Sequence, residues 1–211
     1  MHRRLTVLGG VLAAWMAAMP ALAEPVEAAS PAAESAGQRS RTVGFDEMGW
    51  YGPVQLRGVE GVMNLPFGVR LDEVVTEARL HLRYTYSPAL IPELSHLRVL
   101  LNNQVVGALP MSKEDAGREI EREVVLDPRL FTDFNNLRFD LIGHYSMECE
   151  DPTHSGLWAS INERSRLELK VRTLKLGDEL ALLPAPFFDA RDNRRLELPM
   201  VLPKAASQEL V

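Results

Sequence analysis

Within the eleven residues ECEDPTHSGLW, Glu148 to Trp158, the chain places its only cysteine, three carboxylates, a histidine and a tryptophan, and His144 stands four positions upstream. A thiol, imidazoles and carboxylates at close spacing are the raw material of a cysteine nucleophile or of a metal site. A nucleophilic Cys149 would take His144 or His154 as its base, but Glu148, Glu150 and Asp151 surround it with negative charge, which disfavours a thiolate. His144, Cys149, Asp151 and His154 hold enough donors for a metal. Their spacing fits no zinc pattern, and donors from one short segment rarely close a coordination shell. The remaining reading is a polar, hydrogen-bonded loop between two strands, with no catalytic residue and no metal.

The other titratable groups have equally plain roles. Glu119, Glu121 and Glu123 share one strand face, whereas a carboxylate pair for glycoside hydrolysis has to converge across a cleft. Such same-strand neighbours line a solvated edge. His81 falls between Arg79 and Arg83 on a polar face, and His96 follows Ser95 in a connection.

The elements that would position these residues are strands, because the dominant hydrophobic period is two. In EARLHLRYTYS, Ala78, Leu80, Leu82, Tyr84 and Tyr86 share one face, and Glu77, Arg79, His81, Arg83 and Thr85 the other. HLRVLLNNQVVGAL predicts a hairpin, since Asn102-Asn103 tolerates the positive φ values of a two-residue turn. EIEREVVLDP sets Ile120, Val124 and Leu126 on one side. LRFDLIGHY points Leu137, Phe139, Leu141, Gly143 and Tyr145 inward and Arg138, Asp140, Ile142 and His144 outward. LWASI and RLELKVRTL supply two more strands. Helix is confined to DPRLFTDFNN, where Asp127 can cap and Pro128 can open a turn. About eight short strands with one dry face predict an all-β fold, a two-sheet β-sandwich of jelly-roll type spanning 41–175.

The ends are of a different kind. MHRRLTVLGGVLAAWMAAMPALAEP opens with basic residues, continues with an apolar run of roughly 15 residues and closes on Ala21-Leu22-Ala23, the pattern of a secretory signal peptide over 1–23. Residues 24–40, rich in Ala, Glu, Ser and Pro, predict a disordered tether. Past Thr173 the period stops, and 176–211 reads as a linker towards a second domain. Removing residues 1–23 takes Arg3 and Arg4 and shifts the formal charge from −6 to −8, so nucleic acid is an unsuitable partner. A single cysteine in an exported chain cannot form an internal disulfide.

YSPALIPELSHLRVLLNNQVVGALP, LDPRLFTDFNNLRFDLIGHY, CEDPTHSGLWASI and LPAPFFDARD, in that order and spacing, resemble the amino-terminal domain of the periplasmic regulatory subunit of bacterial cellulose synthase. The likeness runs over roughly residues 41 to 203. It implies a signal peptide, a jelly-roll carbohydrate-binding domain, a flavodoxin-like domain, a second copy of each and a carboxy-terminal membrane anchor. This chain stops at Val211 without the anchor and is expected to be a fragment or a short product. The resemblance further implies a periplasmic, non-catalytic partner of the inner-membrane cellulose synthase catalytic subunit that helps guide the nascent β-1,4-glucan.

The family is also labelled as binding cyclic di-GMP. Arg191 and Arg195 have the R-x-x-x-R spacing of its receptors, but no D/N-x-S-x-x-G element accompanies them, and a cytosolic messenger would not meet an exported domain. No cofactor is expected. For sugar binding the useful side chains are flat aromatics outside the core. Counting by twos assigns Tyr84, Tyr86 and Tyr145 to the apolar side and leaves Trp158, Trp50 and Tyr51 as carbohydrate-binding candidates. Two other readings stand beside this one: a secreted polysaccharide hydrolase of sandwich type, and an interaction module that binds no sugar.

Overall fold

A computed structural model describes residues 37–192 apart from Asp178 and Pro186. The expected signal peptide, nearly all of the expected tether, Arg195 and the end of the expected linker lie outside the described residues. Ten strands make up the described part: β1 (Gln38–Gly44), β2 (Val54–Arg57), β3 (Glu60–Gly68), β4 (Glu73–Tyr86), β5 (His96–Leu101), β6 (Gln104–Pro110), β7 (Ile120–Leu126), β8 (Phe134–Ile142), β9 (Trp158–Ile161) and β10 (Arg166–Thr173). They form two antiparallel sheets. The first runs β1-β10-β4-β9-β2 with β7 also paired to β4, and the second runs β3-β8-β5-β6.

Alternation in the sequence becomes two faces in space. Along β4, Ala78, Leu80, Leu82, Tyr84 and Tyr86 are all buried, as their parity predicts. They meet Leu97, Val99 and Leu101 of β5 and Leu137, Phe139 and Leu141 of β8 in one core between the sheets. Each such side chain contributes about 1.5–3 kcal/mol by leaving water. The Tyr86 hydroxyl donates to Ser112 O at 2.8 Å, whereas the Tyr84 hydroxyl is buried with no hydrogen-bond partner. Burial accordingly pushes the Tyr84 phenol up to about 12.

The predicted local devices are present. Asn102 and Asn103 have φ of 51° and 67°, and they close the β5–β6 hairpin. The Asn102 side chain also reaches across to β8, accepting from Asn136 N at 2.9 Å. Asp127 accepts from Arg129 N at 3.0 Å and caps the 3-10 turn Pro128–Leu130. The acids of β7 lie on a sheet edge and are paired: Glu123 with Arg79 at 2.8 Å and Glu121 with Arg83 at 2.9 Å.

Four details differ from the sequence reading. β1 begins at Gln38, three residues inside the expected tether, because its backbone pairs with β10 even where its side chains stay exposed. His96 opens β5 and does not belong to a connection. Asp140, counted as outward and polar, is only 2% exposed, since Arg98 (3.1 Å) and Arg138 (2.6 Å) close over its carboxylate. Tyr145 is half-buried beyond the end of β8, where the period of two no longer applies.

The described part of the expected linker folds back on the sandwich. Asp189, 5% exposed, accepts from Leu71 N at 2.8 Å and from Arg191 Nε at 2.7 Å. Arg191 continues to Asp133 at 2.9 Å, and Asp192 meets Arg70 at 3.1 Å and Arg41 at 3.4 Å. The backbone of Arg191 passes so close to Gly68 that a Cβ there would stand 2.0 Å from Arg191 O. This clasp has no hydrophobic period because backbone contact and ion pairs hold it.

Candidate functional site

The loop that joins β8 to β9 contains the cysteine, and its imidazoles and two of its acids, Glu150 and Asp151, are engaged with the loop itself. Glu150 Oε1 accepts from Tyr145 N at 2.7 Å and Ser146 N at 3.0 Å, while Oε2 lies 2.7 Å from His144 Nδ1. The Ser146 N–H and the His144 ring hold the Glu150 carboxyl below the usual range. Asp151 accepts from Thr153 N and Thr153 Oγ1, which lower its carboxyl in the same way. Tyr145 packs at the rim of the core; its ring stacks on His154 at 4.1 Å and its hydroxyl accepts from Asp151 N. Cys149 is exposed and free. The hydrogen-bonded loop inferred from the sequence is therefore the observed one. Among the described residues no three His, Cys, Asp or Glu side chains gather as metal ligands.

What the loop positions is Trp158, the first residue of β9. The Leu157 carbonyl accepts from Gly58 N at 3.0 Å, and Gly58, at φ 84°, brings the β2–β3 turn against Pro152 O. Leu157, Ala159 and Ile161 are buried, so Trp158 and Ser160 point to the outer face of the six-stranded sheet, where both are half-buried. Register places Arg57 directly opposite Trp158, and Gln55 and Thr85 on the two sides of Ser160. Gln55 Oε1 accepts from Arg57 Nε at 3.1 Å and from Arg57 Nη2 as well, so a neutral amide, not a carboxylate, orients this guanidinium. Further along, Asn162 donates to Glu119. The result is one indole bordered by hydrogen-bonding side chains on a largely polar sheet face.

Trp50 and Tyr51 occupy a separate place. They belong to the turn after β1, shaped by Gly49 (φ 84°) and Gly52 (φ 90°). Tyr51 is 82% exposed, whereas Trp50 packs against the core with its Nε1 buried and unpartnered. Both line a shallow groove of about 600 Å³ with Asp46, Glu47, Arg164 and Arg166. This turn adjoins the Ile161 end of β9, about 10 Å along the strand from Trp158. The three candidate aromatics are thus not brought into one site. Gln55 and Arg57 were missed by sequence reasoning, because β2 is only four residues long and shows a single alternation.

Residues 38–173 match the family described as "Cellulose synthase BcsB, first CBM domain". A "Cyclic di-GMP-binding protein" of Xanthomonas axonopodis pv. citri (strain 306) is 48% identical over 179 residues, which is 85% of this chain and 23% of that protein. "Cellulose synthase 2" of Novacetimonas hansenii is 35% identical over 182 residues, 86% of this chain and 11% of that protein. Of the solved structures, dimeric latent PorU from Porphyromonas gingivalis superposes with a TM-score of 0.35 at 12% identity, over 65% of this chain and 13% of that one. The chain spans about a quarter of the length of the first of these relatives and a smaller share of the second. With more than half of its residues in that match, and with the alternating strands, the Asn102-Asn103 hairpin and the β8–β9 loop all accounted for, the chain belongs to the family of first CBM domains of cellulose synthase BcsB.

Proposed function

We propose that this chain is a non-catalytic, glucan-binding module of a cellulose synthase complex, working in the periplasm beside the membrane-embedded catalytic subunit and contacting β-1,4-glucan through Trp158. The observation that carries the reading is the outward indole of Trp158 among Gln55, Arg57, Thr85 and Ser160. An aromatic face offers apolar area to the C–H face of a glucose ring while neighbouring polar groups take its hydroxyls. The leader-like residues 1–23 support export, and a related segment within a protein named "Cellulose synthase 2" supports the partnership with a synthase.

Cyclic di-GMP forms no part of the proposed site, although relatives bear it in their names. Arg191, the described member of the R-x-x-x-R pair, is already held by Asp189 and Asp133. Trp158→Ala tests the assignment: it weakens cello-oligosaccharide binding by about 1–2 kcal/mol, the scale of one aromatic contact. Folding stability changes by less than about 1 kcal/mol, as suits a half-buried residue outside the core. Unchanged titration curves, or release of reducing ends from β-glucan by the wild type, would refute the reading.

A further inference from the structure

The chemistry of the outer sheet face specifies which physical form of glucan it can take, an inference that rests on the glucan-binding reading of Trp158. Among the described residues Trp158 is the one large aromatic on that face. Much of the remainder is charged: Arg79–Glu123, Arg83–Glu121, Arg166–Glu168 and Lys170–Glu77 pair at 2.8 to 3.3 Å, His81 lies 3.1 Å from Glu168, and Val125 is exposed beside Arg79. A crystalline cellulose surface is flat, and covering these ion pairs with it would strip them of water without returning hydrogen bonds, which is costly. Binding to such a surface calls for several coplanar aromatic rings, and Tyr51 sits on a turn beyond the sheet, apart from Trp158.

A single hydrated strand makes different demands. It is narrow enough to lie on the indole alone, leaving the ion pairs wet, and it presents equatorial hydroxyls on both sides. Arg57, opposite Trp158, is oriented by the Gln55 amide, and a neutral partner leaves the guanidinium donor capacity toward a neutral ligand. Thr85 and Ser160 supply hydroxyls on the other flank. We infer that the site takes one unassembled β-1,4-glucan strand, stacked on Trp158 and hydrogen-bonded through the Gln55–Arg57 pair, and does not take a crystalline face.

The test titrates the full chain with cellohexaose and, separately, measures its retention on microcrystalline cellulose with and without excess cellohexaose. Wild type is expected to bind cellohexaose and to be poorly retained on the crystalline solid. Trp158→Ala weakens cellohexaose binding about tenfold, and Arg57→Ala about threefold to tenfold. Retention on microcrystalline cellulose that depends on Trp158 and resists cellohexaose would overturn the single-strand inference while leaving glucan binding intact. Binding of cellohexaose that is indifferent to Arg57→Ala would remove the Gln55–Arg57 pair from the site. Binding to neither form, or binding indifferent to Trp158→Ala, would overturn the glucan-binding reading itself.

Discussion

Tyr84 and Trp158 lie on opposite faces of one sheet, and their chemistry differs accordingly. The raised Tyr84 phenol keeps the buried ring neutral in the folded state while an unfolded chain ionises near the ordinary value of 10.0. Its contribution is therefore complete below pH 10 and is lost as pH rises toward 12, about 2–3 kcal/mol in all. Denaturant midpoints followed across that range should show the loss in wild type and a smaller one in Tyr84→Phe, which removes an unpartnered hydroxyl. Cys149→Ser should shift stability by no more than about 0.5 kcal/mol, because the thiol is exposed; a larger change in the melting curve would indicate a packing role. At this scale the sequence was readable along most of each long strand, and parity alone assigned both Tyr84 and Trp158. It failed at Asp140 and Tyr145, where a charge cluster and the end of a strand override parity.

At the scale of elements, β4 and the β5–β6 hairpin were legible because long alternation and a positive-φ Asn pair are strong signals. β2 and β3 were not: one is four residues long, and the other contains Gly61 and Pro66, which weaken a strand signal. The clasp at residues 189–192 was illegible for a different reason, since an ion pair and a hydrogen bond between residues more than a hundred positions apart leave no local pattern. Burial pushes the Asp189 carboxyl up, but the Arg191 guanidinium and the N–H groups of Leu71 and Arg191 outweigh it and hold it below the usual range. A depressed carboxyl stabilises the fold above the ordinary aspartate range and loses that effect as pH falls through the folded-state value. Asp189→Ala should cost about 2–3 kcal/mol at neutral pH, with the gap to wild type narrowing on acidification in parallel unfolding titrations. Gly68→Ala should dislodge the clasp without touching the core, which trypsin cleavage after Arg191 would report.

At the scale of the whole molecule, the described sandwich corresponds to one part of relatives that are several times longer than the matched segment. The exported product should begin at Glu24, and intact-mass measurement decides this; a product retaining Met1 in the membrane fraction would mean that the apolar run serves as an anchor. The path of the chain has a mechanical corollary. Gln38 pairs with Arg172, so β1 and β10 have their free ends side by side, and the chain that continues past β10 is pinned at Asp192 to Arg41 of β1 and to Arg70. Tension applied through the flanking chain would reach the clasp first and, once it parts, load the β1–β10 hydrogen bonds one after another, as in opening a zipper. The domain should therefore yield at low force from this corner, with the Arg41–Asp192 and Arg70–Asp192 ion pairs as the first bonds to part and β1 peeling from β10 after them.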